Sequence, residues 1–282
     1  MRIRYTTERQ TDPMPASNAN TLLPYKAVKA PLPVTLLLGI SSLVLVFVTY
    51  RSTFDPKTGK PVCERRVLNT YLYVFTMIAM LGFFTAAFLP LIAAPKNQSL
   101  GLLVTLILIE LAAFLFVVFL NAKYVLWKHL FLALWIVLGG YFYALLVTYT
   151  ESSILLYALL ITFFLFGIMT WFAYQYESVL LDKHRTILYI LIIIGLVTYI
   201  LSSFFLSPQS TFLYVLAIVL VVLITASIAY KAKALKNKEC DPVANPPDYP
   251  RDSLSILVDL RVIFDLLIQI FQRNGRGSRR LR

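Results

Sequence analysis

The chain has 282 residues, of which 59% are apolar and only 14% are charged, and its mean hydropathy is +0.75. A soluble domain carries about 25% charged residues to cover its surface. This composition therefore excludes a soluble enzyme, a disordered chain and a secreted disulfide scaffold. We expect an all-α polytopic membrane protein whose main solvent is lipid.

The net charge of +12 does not indicate a nucleic-acid partner. The basic residues lie at the ends of apolar segments and in the two tails, which is where membrane proteins carry their orientation signals. No DNA- or RNA-binding motif accompanies them. We therefore expect the lipid bilayer, and no nucleic acid, as the partner of this chain.

The chain opens with a polar tail, 1–31, that lacks the short apolar core and the small-residue cleavage site of a signal peptide. Apolar runs long enough to cross a hydrocarbon core of about 30 Å follow it. Seven are strongly apolar throughout, with Glu110 as the one charged residue inside them: 33–50, 68–94, 100–121, 130–149, 153–174, 186–206 and 211–230. An eighth, 253–272, is long enough to span but contains Asp259, Arg261 and Asp265.

Lysine and arginine are concentrated in alternate connections between these runs. The basic connections are 51–67, 122–129, 175–185 and 231–252. The intervening ones are nearly bare: 95–99 with Lys96, 150–152 and 207–210. The positive-inside rule therefore places the basic set in the cytosol.

Both tails are also basic, so the charge rule does not decide how the two end segments lie in the membrane. Run 33–50 either spans against the charge rule or dips into the membrane and returns. Run 253–272 spans, re-enters, or lies in the interface as an amphipathic helix.

Ionisable side chains within the runs are the candidate ion-path or latch residues, because each costs about 2.5–3.5 kcal/mol at bilayer depth. They are Glu110, Asp259, Arg261 and Asp265, with Lys231 at the end of the seventh run. Arg261 and Asp265 lie four residues apart and can pair on one helical face, so Asp259 needs another partner. Lys231 either snorkels to the cytosolic interface or pairs with a buried acid.

The motifs of an enzyme or a metal site are missing from the sequence. It contains no HExxH, no phosphate-binding loop and no intramembrane Ser–His or paired-Asp motif. The two histidines, His129 and His184, lack ligand partners at metal spacing. We expect no enzymatic activity, no cofactor and no bound metal.

Segment 248–264, DYPRDSLSILVDLRVIF, resembles the block that opens the last helix of the BAX inhibitor-1 family, also called the Lifeguard or transmembrane BAX inhibitor motif family. Supporting stretches follow the family's order: Arg65-Arg66-Val67-Leu68, Ile109-Glu110-Leu111, Gly139-Gly140, Thr162-Phe163 and Ala229-Tyr230. The likeness covers about 60–272, and the order and spacing of the helices carry more of it than any single motif.

The resemblance implies a seven-helix bundle around a charged central last helix in 61–272. An extra membrane segment and loop in 32–60 precede this bundle, and a basic tail, 273–282, follows it. The resemblance also implies regulation of intracellular calcium and cell death from the endoplasmic reticulum or Golgi, with calcium as the permeant ion. Its protein partners would then be membrane proteins of the cell-death or calcium-release machinery.

One departure from the family pattern concerns its pH-sensitive latch. In the family, an aspartate ending the penultimate helix shares a proton with one in the last helix, because two close carboxylates cannot both ionise cheaply. Asp259 matches the second position, but Lys231 stands at the first. A Lys–Asp salt bridge stays closed across physiological pH, so we hypothesise that pH gating is altered or lost. Leu257 and Val262 also replace a family tyrosine and asparagine.

Two functions stay open at this point. The first is a channel-like calcium regulator that uses Glu110, Asp259 and Asp265 as acidic path residues. The second is a non-conducting membrane adaptor that binds other membrane proteins and modulates survival or trafficking, a role that suits the divergence of viral relatives. Lys231 favours the second function, because a fixed ammonium near the path repels calcium. A seven-helix receptor matches by helix count alone.

Overall fold

A computed structural model describes residues 32–55, 61–63, 65–92, 100–175, 184–207, 210–237 and 246–279. This part of the chain contains eight α-helices and no β-strand. The helices are α1 (Leu32–Thr53), α2 (Arg66–Phe88), α3 (Leu100–Phe119), α4 (Val125–Tyr149), α5 (Ser152–Gln175), α6 (Arg185–Phe205), α7 (Thr211–Asn237) and α8 (Tyr249–Arg279). The polar tail, 1–31, lies outside the described residues.

Each of the eight apolar runs is a helix, which confirms the all-α membrane fold. Helices α1 to α7 are long and apolar enough to cross a membrane. Helix α4 begins at Val125 rather than at 130, and α8 begins at Tyr249 rather than at 253. These earlier starts bring Lys128 and Asp252 into helices, where the sequence placed them in connections.

Helix α8 is the centre of the bundle. It packs against α2, α5 and α7 and also contacts α3 and α4. Its most buried apolar side chains are Leu254, Ile256, Leu257, Ile263, Leu266 and Ile268. A helix lying in the interface would leave one face in the headgroups, so this burial on several sides excludes that alternative.

Contacts at its two ends show that α8 passes through the whole bundle. At one end the Tyr249 hydroxyl donates to the carbonyl of Val62, in the basic connection between α1 and α2. At the other end Arg273 Nη1 donates to the carbonyl of Ser210 at 2.7 Å, in the bare connection before α7. Basic and bare connections therefore lie at opposite ends, and α8 does not re-enter.

Helix α1 runs antiparallel to α2 along its full length. Near its end the Ser52 hydroxyl donates to Asn69 Oδ1 at 2.5 Å. Near its start a β-carbon on Gly39 would lie 3.0 Å from the ring of Phe83. Small and hydroxyl-bearing residues are the usual contacts between membrane helices. The alternative in which α1 dips and returns is therefore excluded.

Eight helices that each run from end to end place the start of α1 and the end of α8 at the same end of the bundle. That end is the one with the bare connections. The reason is the packing of α1 on α2, which adds one helix to the seven that follow.

Gly140 brings α4 close to α2. A β-carbon at this position would lie 2.5 Å from the Cβ of Phe84 and 3.1 Å from its carbonyl carbon. Only a hydrogen atom fits between the two helices there, as at other close contacts of membrane helices.

We expect Gly140→Ala to destabilise the bundle by about 1–3 kcal/mol, because α4 and α2 must separate to admit the methyl group. Gly82→Ala on α2 is the matched control, because a β-carbon there meets no atom within 4 Å. Thermal unfolding of both purified variants in detergent measures the difference. A Gly140→Ala variant as stable as wild type would contradict the close approach.

We also expect epitope tags on the two tails to have the same sidedness, opposite to a tag inserted at Lys123 between α3 and α4. Antibody access in selectively permeabilised cells reports this. Tails on opposite sides of the membrane would mean that α1 or α8 does not cross.

Candidate functional site

Helix α8 and the residue before it carry a row of charges, and each of the ion pairs among the described residues joins this row to a different helix. From the basic end towards the middle of the bundle they are Lys128–Asp248, Arg66–Asp252, Lys231–Asp259 and Glu110–Arg261. Because an unpaired buried charge is costly, these pairs determine both the depth and the rotation of α8.

The first two pairs hold the start of α8 against α4 and α2. Lys128, which is 1% exposed, pairs with Asp248. Arg66, which is 5% exposed, donates from Nη2 to Asp252 at 2.7 Å. Acidic groups at a helix N-terminus also suit the helix dipole.

These two ion pairs were not predicted from the sequence, because Arg66 and Lys128 were interpreted as orientation charges. Two signals could have revealed them. Both cations lie in the first turn of a helix, where the side chain can turn into the bundle. Asp248 and Asp252 are four residues apart and therefore project towards the same side of a helix.

A polar network at the same end links α8 to α1 and α2. The ring of Tyr249 stacks on Tyr73, with centroids 5.8 Å apart and planes inclined by 7°. Asn69 Nδ2 donates to the Tyr249 hydroxyl at 3.4 Å and to the carbonyl of Ser52 at 3.0 Å. The extra helix α1 is thereby connected to the start of the central helix.

Lys231 turns towards α8 instead of snorkelling to the interface. Its Nζ lies 2.8 Å from Asp259 Oδ2 and donates to the carbonyl of Ser255 at 2.7 Å. The Ser227 hydroxyl, one turn earlier on α7, donates to the same Asp259 oxygen at 2.5 Å. Asp259 therefore receives one charged and one neutral donor from α7.

The central pair joins α8 to α3. Arg261 Nη1 donates to Glu110 Oε1, and the guanidinium lies 5.5 Å from the ring centroid of Trp135 and 5.3 Å from that of Tyr143. The ion pair of Arg261 is thus with Glu110 and not with Asp265, the partner that the sequence spacing allowed. Glu110 reaches the guanidinium from another helix, and Arg before Asp is the weaker order along a helix. Among the described residues, Asp265 forms no ion pair.

Gly139 on α4 lies beside the central pair. A β-carbon there would lie 3.8 Å from both Arg261 Nη1 and Glu110 Oε1, which is ordinary van der Waals distance, and 3.1 Å from a methyl group of Leu81. The close contact at Gly139 is therefore with Leu81 on α2, and the pair itself would tolerate a methyl group.

A cavity of about 300 Å³ lies between α4 and α8 on the side of the central pair that faces the bare connections. It is lined by Phe142, Tyr143, Leu146, Arg261, Asp265, Ile268, Gln269 and Gln272. The polar members from α8 are spaced by three or four residues and so form one stripe along the helix.

The five residues singled out from the sequence thus do not form one site. Lys231 and Asp259 form one ion pair, Glu110 and Arg261 form another, and Asp265 lines the cavity. Their roles as an ion path or a latch stay a prediction. The described residues contain no group of three His, Cys, Asp or Glu side chains able to hold a metal ion.

Apolar helices around a charged central helix define a polytopic α-helical membrane protein. The sequence profile of the family described as inhibitor of apoptosis-promoting Bax1 matches residues 63–276. The chain belongs to this family, which confirms the resemblance found in the sequence. The match runs from α2 almost to the end of α8, and α1 precedes it. No curated protein and no solved structure matches the chain.

Removing one partner of the central Glu110–Arg261 pair should destabilise the protein more than removing both partners. Arg261→Met leaves Glu110 buried without its cation, and we expect a loss of about 3–5 kcal/mol. The double variant Glu110→Leu/Arg261→Met should recover most of that loss, because no charge stays buried. Thermal unfolding in detergent measures both.

The control for this experiment is Lys123→Met, which removes an exposed positive charge from the connection before α4. It should unfold like wild type. A double variant no more stable than Arg261→Met would show that the two side chains are not coupled.

Proposed function

We propose that the protein regulates intracellular calcium and cell death from the membrane of the endoplasmic reticulum or Golgi, and that its cation path is held closed by the Lys231–Asp259 ion pair. Membership of the BAX inhibitor-1 family supports the first part. The distance of 2.8 Å between Lys231 Nζ and Asp259 Oδ2 supports the second and carries the proposal.

The chemistry of the pair supports a latch that does not respond to pH. Two carboxylates that share a proton titrate near neutral pH, because the second negative charge is expensive. A lysine beside Asp259 supplies a positive charge that favours the ionised carboxylate instead. The Ser227 hydroxyl adds a hydrogen bond to the same oxygen. The attraction therefore persists throughout the physiological pH range.

The second ion pair also opposes calcium passage. Calcium requires several oxygen ligands, and the oxygens of Glu110 and Asp259 already receive donors from Arg261 and Lys231. The two cations repel a divalent ion at close range. We infer that the resting protein is closed and that conduction requires both pairs to separate.

A non-conducting adaptor is the second candidate function. The observation that favours it is that Glu110 and Asp259, two of the three acids of the predicted path, have cationic partners supplied by this chain. Such a protein would act on survival or trafficking by binding other membrane proteins, and its ion pairs would serve only to hold α8 in place.

Resting calcium in the endoplasmic reticulum, measured with an organelle-targeted reporter, tests the closed latch. We expect wild type to show no pH-dependent leak. Lys231→Asp restores two facing carboxylates and should lower store calcium, with an effect that changes between about pH 6 and pH 7.5. Lys236→Asp makes the same charge change at an exposed position on α7 and is the matched control.

A wild-type protein that lowers store calcium, with Asp259→Ala abolishing the effect, would show that the latch is not locked. If Lys231→Asp is expressed at the level of wild type but does not change store calcium, the proposed cation path is contradicted. The adaptor function would then be preferred, and proteins co-isolated with wild type would identify its partners.

A further inference from the structure

We propose that the cavity between α4 and α8 binds a monovalent cation, with the Asp265 carboxylate as its charged ligand and the amide oxygens of Gln269 and Gln272 as neutral ligands. This inference does not rest on the proposed role in calcium regulation, because it concerns a site separate from the Lys231–Asp259 pair.

The charge balance at the cavity is the first argument. Arg261 lines it, but this guanidinium is already paired with Glu110 and lies over two aromatic rings. Asp265 forms no ion pair of its own among the described residues. It lies beside the Tyr143 hydroxyl and shares the positive charge of Arg261 with Glu110, so the three charged groups together carry one net negative charge. A half-buried carboxylate in that position is stabilised by a positive ion.

The shape of the cavity is the second argument. Its volume of about 300 Å³ is roomy enough for an ion with part of its water shell, since a water molecule occupies about 30 Å³ in the liquid. Gln269 is exposed and lies at the opening of the cavity. Gln272 donates its amide to the Thr150 hydroxyl at 3.2 Å, which leaves its carbonyl oxygen available as a ligand.

The ligand set favours a singly charged ion. Calcium takes six to eight oxygen ligands and usually several carboxylates, whereas this cavity offers a single carboxylate. The ring of Phe142 on its other wall suits an alkali ion or a small ammonium ion, which aromatic faces attract, whereas the ring of Tyr143 already faces Arg261. An anion is disfavoured, because Asp265 would repel it.

The probe ions are potassium, sodium and methylammonium, added to the full chain in lipid nanodiscs. N-methyl-D-glucamine chloride keeps the ionic strength constant and provides the baseline, and calcium chloride is a separate arm. We expect at least one monovalent ion to raise the unfolding midpoint of wild type by about 2–4 °C, because a ligand that binds only the folded state stabilises it.

Asp265→Asn removes the charge with little change in size and should abolish the rise. Glu151→Gln makes the same exchange at an exposed position just after α4 and should keep it. Equal rises in wild type and Asp265→Asn would identify a general salt effect and overturn the proposal. A rise with calcium alone would overturn it as well.

A direct binding measurement covers the case in which Asp265→Asn does not fold. Wild type should retain radioactive rubidium, a potassium analogue, in a saturable manner that potassium displaces and calcium does not. Gln269→Leu keeps the charge of Asp265 and should weaken this binding several-fold. Absence of saturable binding in folded wild type with each monovalent ion would overturn the proposal.

Discussion

Helix α8 occupies the centre of the bundle because four charges, on the helix and on the residue before it, meet partners in the surrounding helices. An unpaired charge at membrane depth is expensive, and α2, α3, α4 and α7 each contribute one partner. A shift of α8 by one residue, or a rotation about its axis, would separate several of these pairs at once. Buried ion pairs add little net stability compared with apolar packing, but here they select one register for the central helix.

Close packing between helices accompanies these pairs. Gly140 brings α4 against α2, and Gly139 beside it lies next to the Glu110–Arg261 pair. Lys231 forms a salt bridge with Asp259. This contact fixes α8 against α7 and compensates the charge of the Asp259 carboxylate.

Helix α1 extends the family fold without altering the central arrangement. It precedes the residues that match the family, contacts α2 along its length, and is linked through Asn69 to Tyr249 at the start of α8. Hydrogen bonds and close small-residue contacts hold it there, because lipid tails leave little hydrophobic driving force between helices. The added helix places the start of α1 and the end of α8 at the same end of the bundle.

The sequence by itself determined the membrane class, the eight helices, the family and the candidate charged residues, because hydrophobic length and short motifs are local properties of the chain. Only the tertiary structure decided that Arg261 pairs with Glu110 rather than Asp265, and that Arg66 meets Asp252 across 186 positions of sequence. It also decided that α1 and α8 run from end to end. These contacts depend on how separate helices pack and rotate against one another, and a charge in a connection gives no sign of the helix it will meet.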